Sequence, residues 1–158
     1  VLLLYLGLSN NSRLVHSPLI DKAVPDFNLR VLQSESYVNS SNFPDDVFLL
    51  NIWASWCVAC IKEHQVLNLI NSEKKVRLIG INYKDNDKDA LDWLNELGNP
   101  YTYVGNDFSG RTGIDWGITG VPETFIVNKN GKVVHRFSGP LVGERFEEFK
   151  ELLMLELK

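Results

Sequence analysis

The sequence predicts an α/β fold with a central mixed β-sheet flanked by helices. Three observations carry that expectation. Residues 47–54 and 76–83 are nearly continuous apolar runs, the pattern of strands buried on both faces. The segment between them has apolar residues at helical spacing, so strand, helix and strand make a parallel βαβ unit. The last third reads as a hairpin followed by an amphipathic helix, which adds antiparallel strands. At 158 residues, 44% of them hydrophobic and 23% charged, one domain with its own core is expected.

The chain opens with Val1-Leu2-Leu3-Leu4-Tyr5-Leu6-Gly7-Leu8 and turns polar at Ser9-Asn10-Asn11-Ser12-Arg13. Eight residues are too few to cross a bilayer, which takes about twenty, and the first residue is not Met. Residues 1–16 are therefore expected to be the remnant of an N-terminal membrane anchor or a linker, ahead of a domain over residues 17–158. A loose terminus or a strand packed on the domain is the alternative. Residues 14–46 hold Pro18, Pro25 and Pro44 among many Ser and Asn, so turns dominate. Within them residues 27–32 alternate as an edge strand does. The helix after the first buried strand runs from Cys57 to about Asn71, with Val66, Leu67 and Ile70 at helical spacing. An insertion follows the βαβ unit: a helix over residues 87–97 with Leu91, Leu94 and Leu97 on one face, stopped by Gly98 and Pro100. Residues 101–104 suggest a short strand, and residues 107–116 a short helix or irregular turn broken by Gly110 and Gly113. The hairpin pairs residues 124–127 with 132–137 around Asn128-Lys129-Asn130-Gly131, where Asn-Gly supplies positive φ angles. The last helix, from Gly143 on, sets Phe146, Phe149, Leu153 and Leu157 on one stripe.

The chemistry is concentrated in Trp53-Ala54-Ser55-Trp56-Cys57-Val58-Ala59-Cys60, at the junction of strand and helix. Cys57 and Cys60 are the only cysteines. At this junction two cysteines separated by two residues suggest a reversible dithiol/disulfide couple. Cys57 would sit at the helix N-terminus, where unpaired N–H groups and the macrodipole favour a thiolate. Cys60, one turn on, would close the disulfide and release a bound substrate. Inert structural cysteines are a weaker reading of this pattern. A zinc site needs about four ligands, and only His64 lies close by. Haem attachment needs a histidine directly after the second cysteine, where Ile61 stands.

The order of elements, together with Trp53-Ala54-Ser55-Trp56-Cys57-x-x-Cys60 and Gly120-Val121-Pro122 ahead of a strand, resembles the thioredoxin-like fold and its active site. A closer resemblance is to the membrane-tethered thioredoxin-like proteins of bacterial cytochrome c maturation (the CcmG/DsbE type). It rests on residues 19–27, on Leu49-Leu50-Asn51-Ile52-Trp53-Ala54, on Glu63-His64-Gln65-x-Leu67-Asn68, on Asn82-Tyr83-Lys84-Asp85 and on Gly120-Val121-Pro122-Glu123-Thr124-Phe125.

This resemblance implies a periplasmic protein-disulfide reductase, held at the inner membrane by its N-terminal segment and acting as a monomer. Its electrons would come from a membrane thiol-disulfide reductant and go to apocytochrome c or another maturation thiol protein. Cys57 matches the attacking cysteine, Cys60 the resolving one and Pro122 a cis-proline. Trp56, Val58 and Val121 are the expected substrate-facing residues. Asn51 stands where thioredoxins carry a buried aspartate. It cannot take a proton at neutral pH, so Glu63 and Glu123 become the candidate acid/base groups. Glu123 is the sharper of the two because it follows the loop expected to face the dithiol, whereas Glu63 reads equally well as a solvated surface charge. No cofactor or metal is implied. A broad-specificity periplasmic reductase or oxidase is the main alternative. A copper metallochaperone is a weaker one, since copper-delivering relatives space their cysteines by three residues. The formal net charge of −4 and the lack of a basic cluster argue against a nucleic-acid partner.

Overall fold

The computed structural model describes residues 18–43 and 45–158. The anchor or linker expected over residues 1–16 lies outside the described residues, as does Pro44. No helix among the described residues is long and apolar enough to cross a membrane.

A five-stranded sheet forms the centre. Its strands are β3 (Phe48–Trp53), β4 (Arg77–Tyr83), β5 (Tyr103–Asp107), β6 (Glu123–Val127) and β7 (Val133–Ser138), in the order β5-β4-β3-β6-β7. β3, β4 and β5 run parallel, whereas β6 and β7 are antiparallel to their neighbours, so the sheet is mixed as expected. Among the described residues four α-helices accompany it: α1 (Val58–Ser72), α2 (Asp87–Leu97), α3 (Arg111–Asp115) and α4 (Glu144–Glu156). α2, β5 and α3 make up the insertion between the βαβ unit and the hairpin.

Every residue of β3 is buried, and alternate residues serve opposite cores. Leu49 and Trp53 pack with Leu67 of α1, Trp93 and Leu94 of α2 and Phe149 and Leu153 of α4. Phe48, Leu50 and Ile52 pack with Trp116 and Phe125 on the other face. Burying a side chain of this kind contributes about 1.5–3 kcal/mol. The register Asn51↔Thr124 and Ile52↔Glu123 places Thr124 on the α1 face and Glu123 on the opposite one. That one-residue difference decides what the two acidic candidates can touch.

Three local expectations are adjusted. The edge strand expected over residues 27–32 is present but shorter, and it lies outside the main sheet. Asn28–Arg30 (β1) pairs with Tyr37–Asn39 (β2) in a separate two-stranded ribbon. The polar Ser34-Glu35-Ser36 turn, with Gln33 at a left-handed φ of 51°, reverses the chain there. The ribbon reaches β5 through the Val31↔Gly105 bridge and the Leu32 N–H to Val104, and lays Leu29 and Val38 over Gly105. The strand expected over residues 101–104 begins instead at Tyr103, because Tyr101 turns inward and stacks on Trp53. In the hairpin turn only Gly131 takes positive φ, at 69°. Asn128 accepts the Gly131 N–H on its carbonyl and the Asn130 and Lys132 N–H groups on Oδ1.

Candidate active site

Cys57 is the N-cap of α1, in extended conformation, and its Sγ accepts the Cys60 N–H at 3.0 Å. A sulfur in the capping position meets both an orphan amide and the positive end of the helix, which favour a thiolate. The two cysteines are joined in a disulfide. Cys60 is 1% exposed and Cys57 5%. Cys57 is thus less open than its expected role as the attacking thiol suggests, though it remains the more accessible of the two.

The turn ahead of the cysteines is fixed from the end of β4. The Asp85 carboxylate accepts the Ser55 N–H at 2.6 Å and the Ser55 hydroxyl at 3.0 Å, and also the Asn82 side-chain amide and the Asn86 N–H. Trp56 Nε1 donates to the Lys84 carbonyl at 3.1 Å. The Asn82-Tyr83-Lys84-Asp85 stretch therefore clamps the two residues preceding Cys57. The sequence shows that stretch but not the clamp, because the two segments are some thirty residues apart.

Val121-Pro122 is a cis peptide, and the Val121 carbonyl oxygen lies 3.5 Å from Cys57 Sγ. Beside it Thr119, Val121, Pro122, Ser138 and Gly139 line an open cleft of about 270 Å³. Trp56 and Val58 are 55% and 72% exposed, and Ile61 is exposed as well. The cysteines are thus flanked by an apolar surface on one side and a backbone edge on the other. Trp53 lies in the core, stacked between Trp93 and Tyr101.

Glu63 and Glu123 are both buried, each in a different way. Glu63 lies three residues after Cys60, on the same helical face, and points into the α1 side of the sheet. Its Oε1 accepts Asn51 Nδ2 at 2.8 Å and its Oε2 accepts the Leu141 N–H at 3.0 Å. Burial pushes this carboxyl up to about 7, against the opposing pull of those two donors. Asn51 also donates to Thr124 Oγ1 at 3.0 Å and accepts from the Tyr101 hydroxyl at 2.8 Å. Glu123, on the other face, is gripped by Arg136 Nε at 2.7 Å and Nη2 at 3.0 Å, and by the N–H and hydroxyl of Thr119. Burial pulls its carboxyl upward, but Arg136 and Thr119 together outweigh burial and hold it below the usual value.

His64 is buried and hydrogen-bonded. Its Nε2 is 2.7 Å from the Gly98 carbonyl and its ring meets Trp93 edge-on. Burial holds its pKa low despite that bond. His135 lies in β7 near Glu156. Among the described residues no group of three or more metal-ligating side chains comes together.

A Cys-x-x-Cys disulfide at the N-terminus of the helix after a central parallel strand, on a thioredoxin-like sheet, defines a thiol:disulfide oxidoreductase. The chain belongs to the Redoxin family, whose model matches residues 20–153, and within it to the DsbE type. It is 41% identical over 147 residues to the thiol:disulfide interchange protein DsbE of Allochromatium vinosum, covering 92% of this chain and 81% of that one. With DsbE of Escherichia coli (strain K12) it shares 40% over 136 residues, 85% and 73% of the two chains. Among solved structures, a secreted thiol-disulfide isomerase from Corynebacterium glutamicum superposes with a TM-score of 0.70 at 25% identity, covering 85% of this chain and 83% of that one.

Proposed function

We propose that this enzyme is a periplasmic reductant of cytochrome c maturation, passing two electrons to the haem-binding Cys-x-x-Cys disulfide of apocytochrome c or of a maturation thiol protein. The observation that carries the reading is Cys57 Sγ at the helix cap, receiving the Cys60 N–H, with the Val121 carbonyl alongside. In the reduced enzyme the Cys57 thiolate attacks one sulfur of the substrate disulfide. The substrate disulfide breaks, a mixed disulfide forms and the leaving substrate sulfur takes a proton. An extended substrate pairs with the backbone edge at Val121, as an added strand would, while Trp56 and Val58 offer apolar contact. Cys60 then loses its proton and attacks Cys57 Sγ, which frees the second substrate thiol and closes the Cys57–Cys60 disulfide. Glu63, buried on the same helical face and balanced near neutrality, is the group suited to receive the Cys60 proton. A membrane dithiol reductant returns the two electrons. The cytochrome assignment and the membrane attachment by the N-terminal segment rest on the sequence stretches shared with the DsbE type.

The test is substrate preference. Reduced enzyme should reduce an oxidised apocytochrome c Cys-x-x-Cys-His peptide at least about tenfold faster than insulin, a difference of about 1.4 kcal/mol in barrier. The Cys60→Ala variant should accumulate the mixed disulfide with that peptide. Equal rates on both substrates would favour a broad-specificity reductase instead.

A further inference from the structure

The Asn51 amide is fully buried beneath α1 and has three side-chain neighbours. Nδ2 donates to Glu63 Oε1 and to Thr124 Oγ1, and Oδ1 accepts from the Tyr101 hydroxyl. The second Glu63 oxygen accepts the Leu141 N–H. Two donors thus face the Glu63 carboxyl, which suits a carboxylate. A carboxylic acid needs an acceptor for its own O–H. The Leu141 amide can never become one, but Asn51 can.

Resting on the reading of Glu63 as the proton-handling group, we propose that Asn51 is a positioning residue whose amide turns over when Glu63 gains or loses its proton, the Tyr101 and Thr124 hydroxyls reversing direction to match. Turning the amide by half a revolution puts Oδ1 where Nδ2 was. Glu63 then donates to Oδ1, Thr124 donates to Oδ1, and Nδ2 donates to the Tyr101 oxygen. All three contacts survive with donor and acceptor exchanged, because each hydroxyl can act as either. Glu63, Thr124 and Tyr101 each keep a contact with Asn51 in both arrangements, whereas turning costs one Asn51 N–H and the Tyr101 O–H their acceptors, so the carboxylate arrangement is the better paired of the two. An aspartate at this place would share the proton with Glu63 as a coupled pair. Asparagine leaves the proton to Glu63 alone.

The other titratable groups around Glu63 are compatible with this switch. Tyr101 is held well above its ordinary value, chiefly by burial and then by Glu63. On α1 itself, His64 turns toward Gly98 and is kept low by burial, and Cys60 does not titrate while it is in the disulfide. Glu123 faces the opposite side of the sheet, paired with Arg136.

The experiment uses the disulfide form, so that no thiol titrates, and follows the Glu63 carboxyl carbon by NMR in ¹³C-glutamate-labelled protein. Thr124→Val leaves one Asn51 N–H unpaired in the carboxylate arrangement, whereas in the turned arrangement Oδ1 still accepts from Glu63. The midpoint should rise. Tyr101→Phe strips only Oδ1 in the carboxylate arrangement but takes the last acceptor from Nδ2 in the turned one, and an orphaned N–H is the worse of the two. The midpoint should fall. Opposite shifts of about half a pH unit or more are expected. In the unaltered protein the Asn51 side-chain amide signals should move with the same midpoint as Glu63. Shifts in the same direction, or Asn51 signals unmoved while Glu63 titrates, would overturn the switch and leave the Glu63 reading standing. A Glu63 carboxyl that does not titrate between about pH 5 and 9 would overturn both.

Discussion

The Glu63 carboxyl combines the opposing demands of burial and charge, and its titration is therefore a direct probe of the site. Its folded pKa of about 7 stands above the ordinary 4.5. Between those values the folded state holds more protons than the unfolded one, so this group's contribution to stability falls as pH rises through that window. Glu63→Gln removes the decline. Urea melts of the disulfide form should show the variant gaining on the parent between pH 4 and pH 8, by about 3 kcal/mol at most. Parallel pH profiles for the two proteins would contradict the raised pKa. The cysteines, the proline and the two glutamates were legible in the sequence as residue types at a given spacing. The burial of Glu63 was not, because its partners come from β3 and from the segment before α4, far away in the chain. Asn51 reads in sequence as a missing acid, and only its three contacts show it as an amide with work of its own.

Strand register explains why the two glutamates differ. β6 presents Thr124 to the α1 face and Glu123 to the other, and β7 brings Arg136 across to Glu123. Removing one partner of such a buried pair strands a charge, so Arg136→Met should cost about 3–5 kcal/mol, while Glu123→Gln combined with Arg136→Met should cost much less than the sum of the single changes. Additive costs in thermal or urea unfolding would show that the pair acts as two independent groups. The same geometry ranks the acids' influence on the thiols. In pH-dependent alkylation of the reduced protein, Glu63→Gln should move the thiol titration clearly and Glu123→Gln much less, because Arg136 compensates the Glu123 charge. The reverse order would assign the tuning to Glu123. Helices and central strands were legible because their apolar periods are long. β2, and with it the β1–β2 pairing, was missed because a three-residue strand carries almost no period. The inward turn of Tyr101 was missed because its aromatic partners are tertiary.

The fold as a whole gathers the ends of β3 and β4, the cap of α1 and the loop before β6 around one disulfide, and that arrangement bears on the direction of electron flow. A disulfide becomes a strong oxidant when its reduced form, the thiolate above all, is stabilised. Here Cys57 Sγ receives one backbone N–H and the helix terminus. Val58 and Ala59, between the cysteines, add neither charge nor a polar side chain. Ionised Glu63, on the helical face of Cys60, works against a thiolate by like-charge repulsion. The balance favours a couple toward the reducing end, which suits an enzyme that supplies electrons in an oxidising compartment. Equilibration with glutathione at pH 7 should give a midpoint between about −200 and −270 mV, the span from glutaredoxins to thioredoxin. Glu63→Gln should move that midpoint toward the oxidising side, since it removes a charge that disfavours the thiolate. A parent midpoint near −120 mV, or a variant that shifts toward the reducing side, would reverse the assigned direction of electron flow.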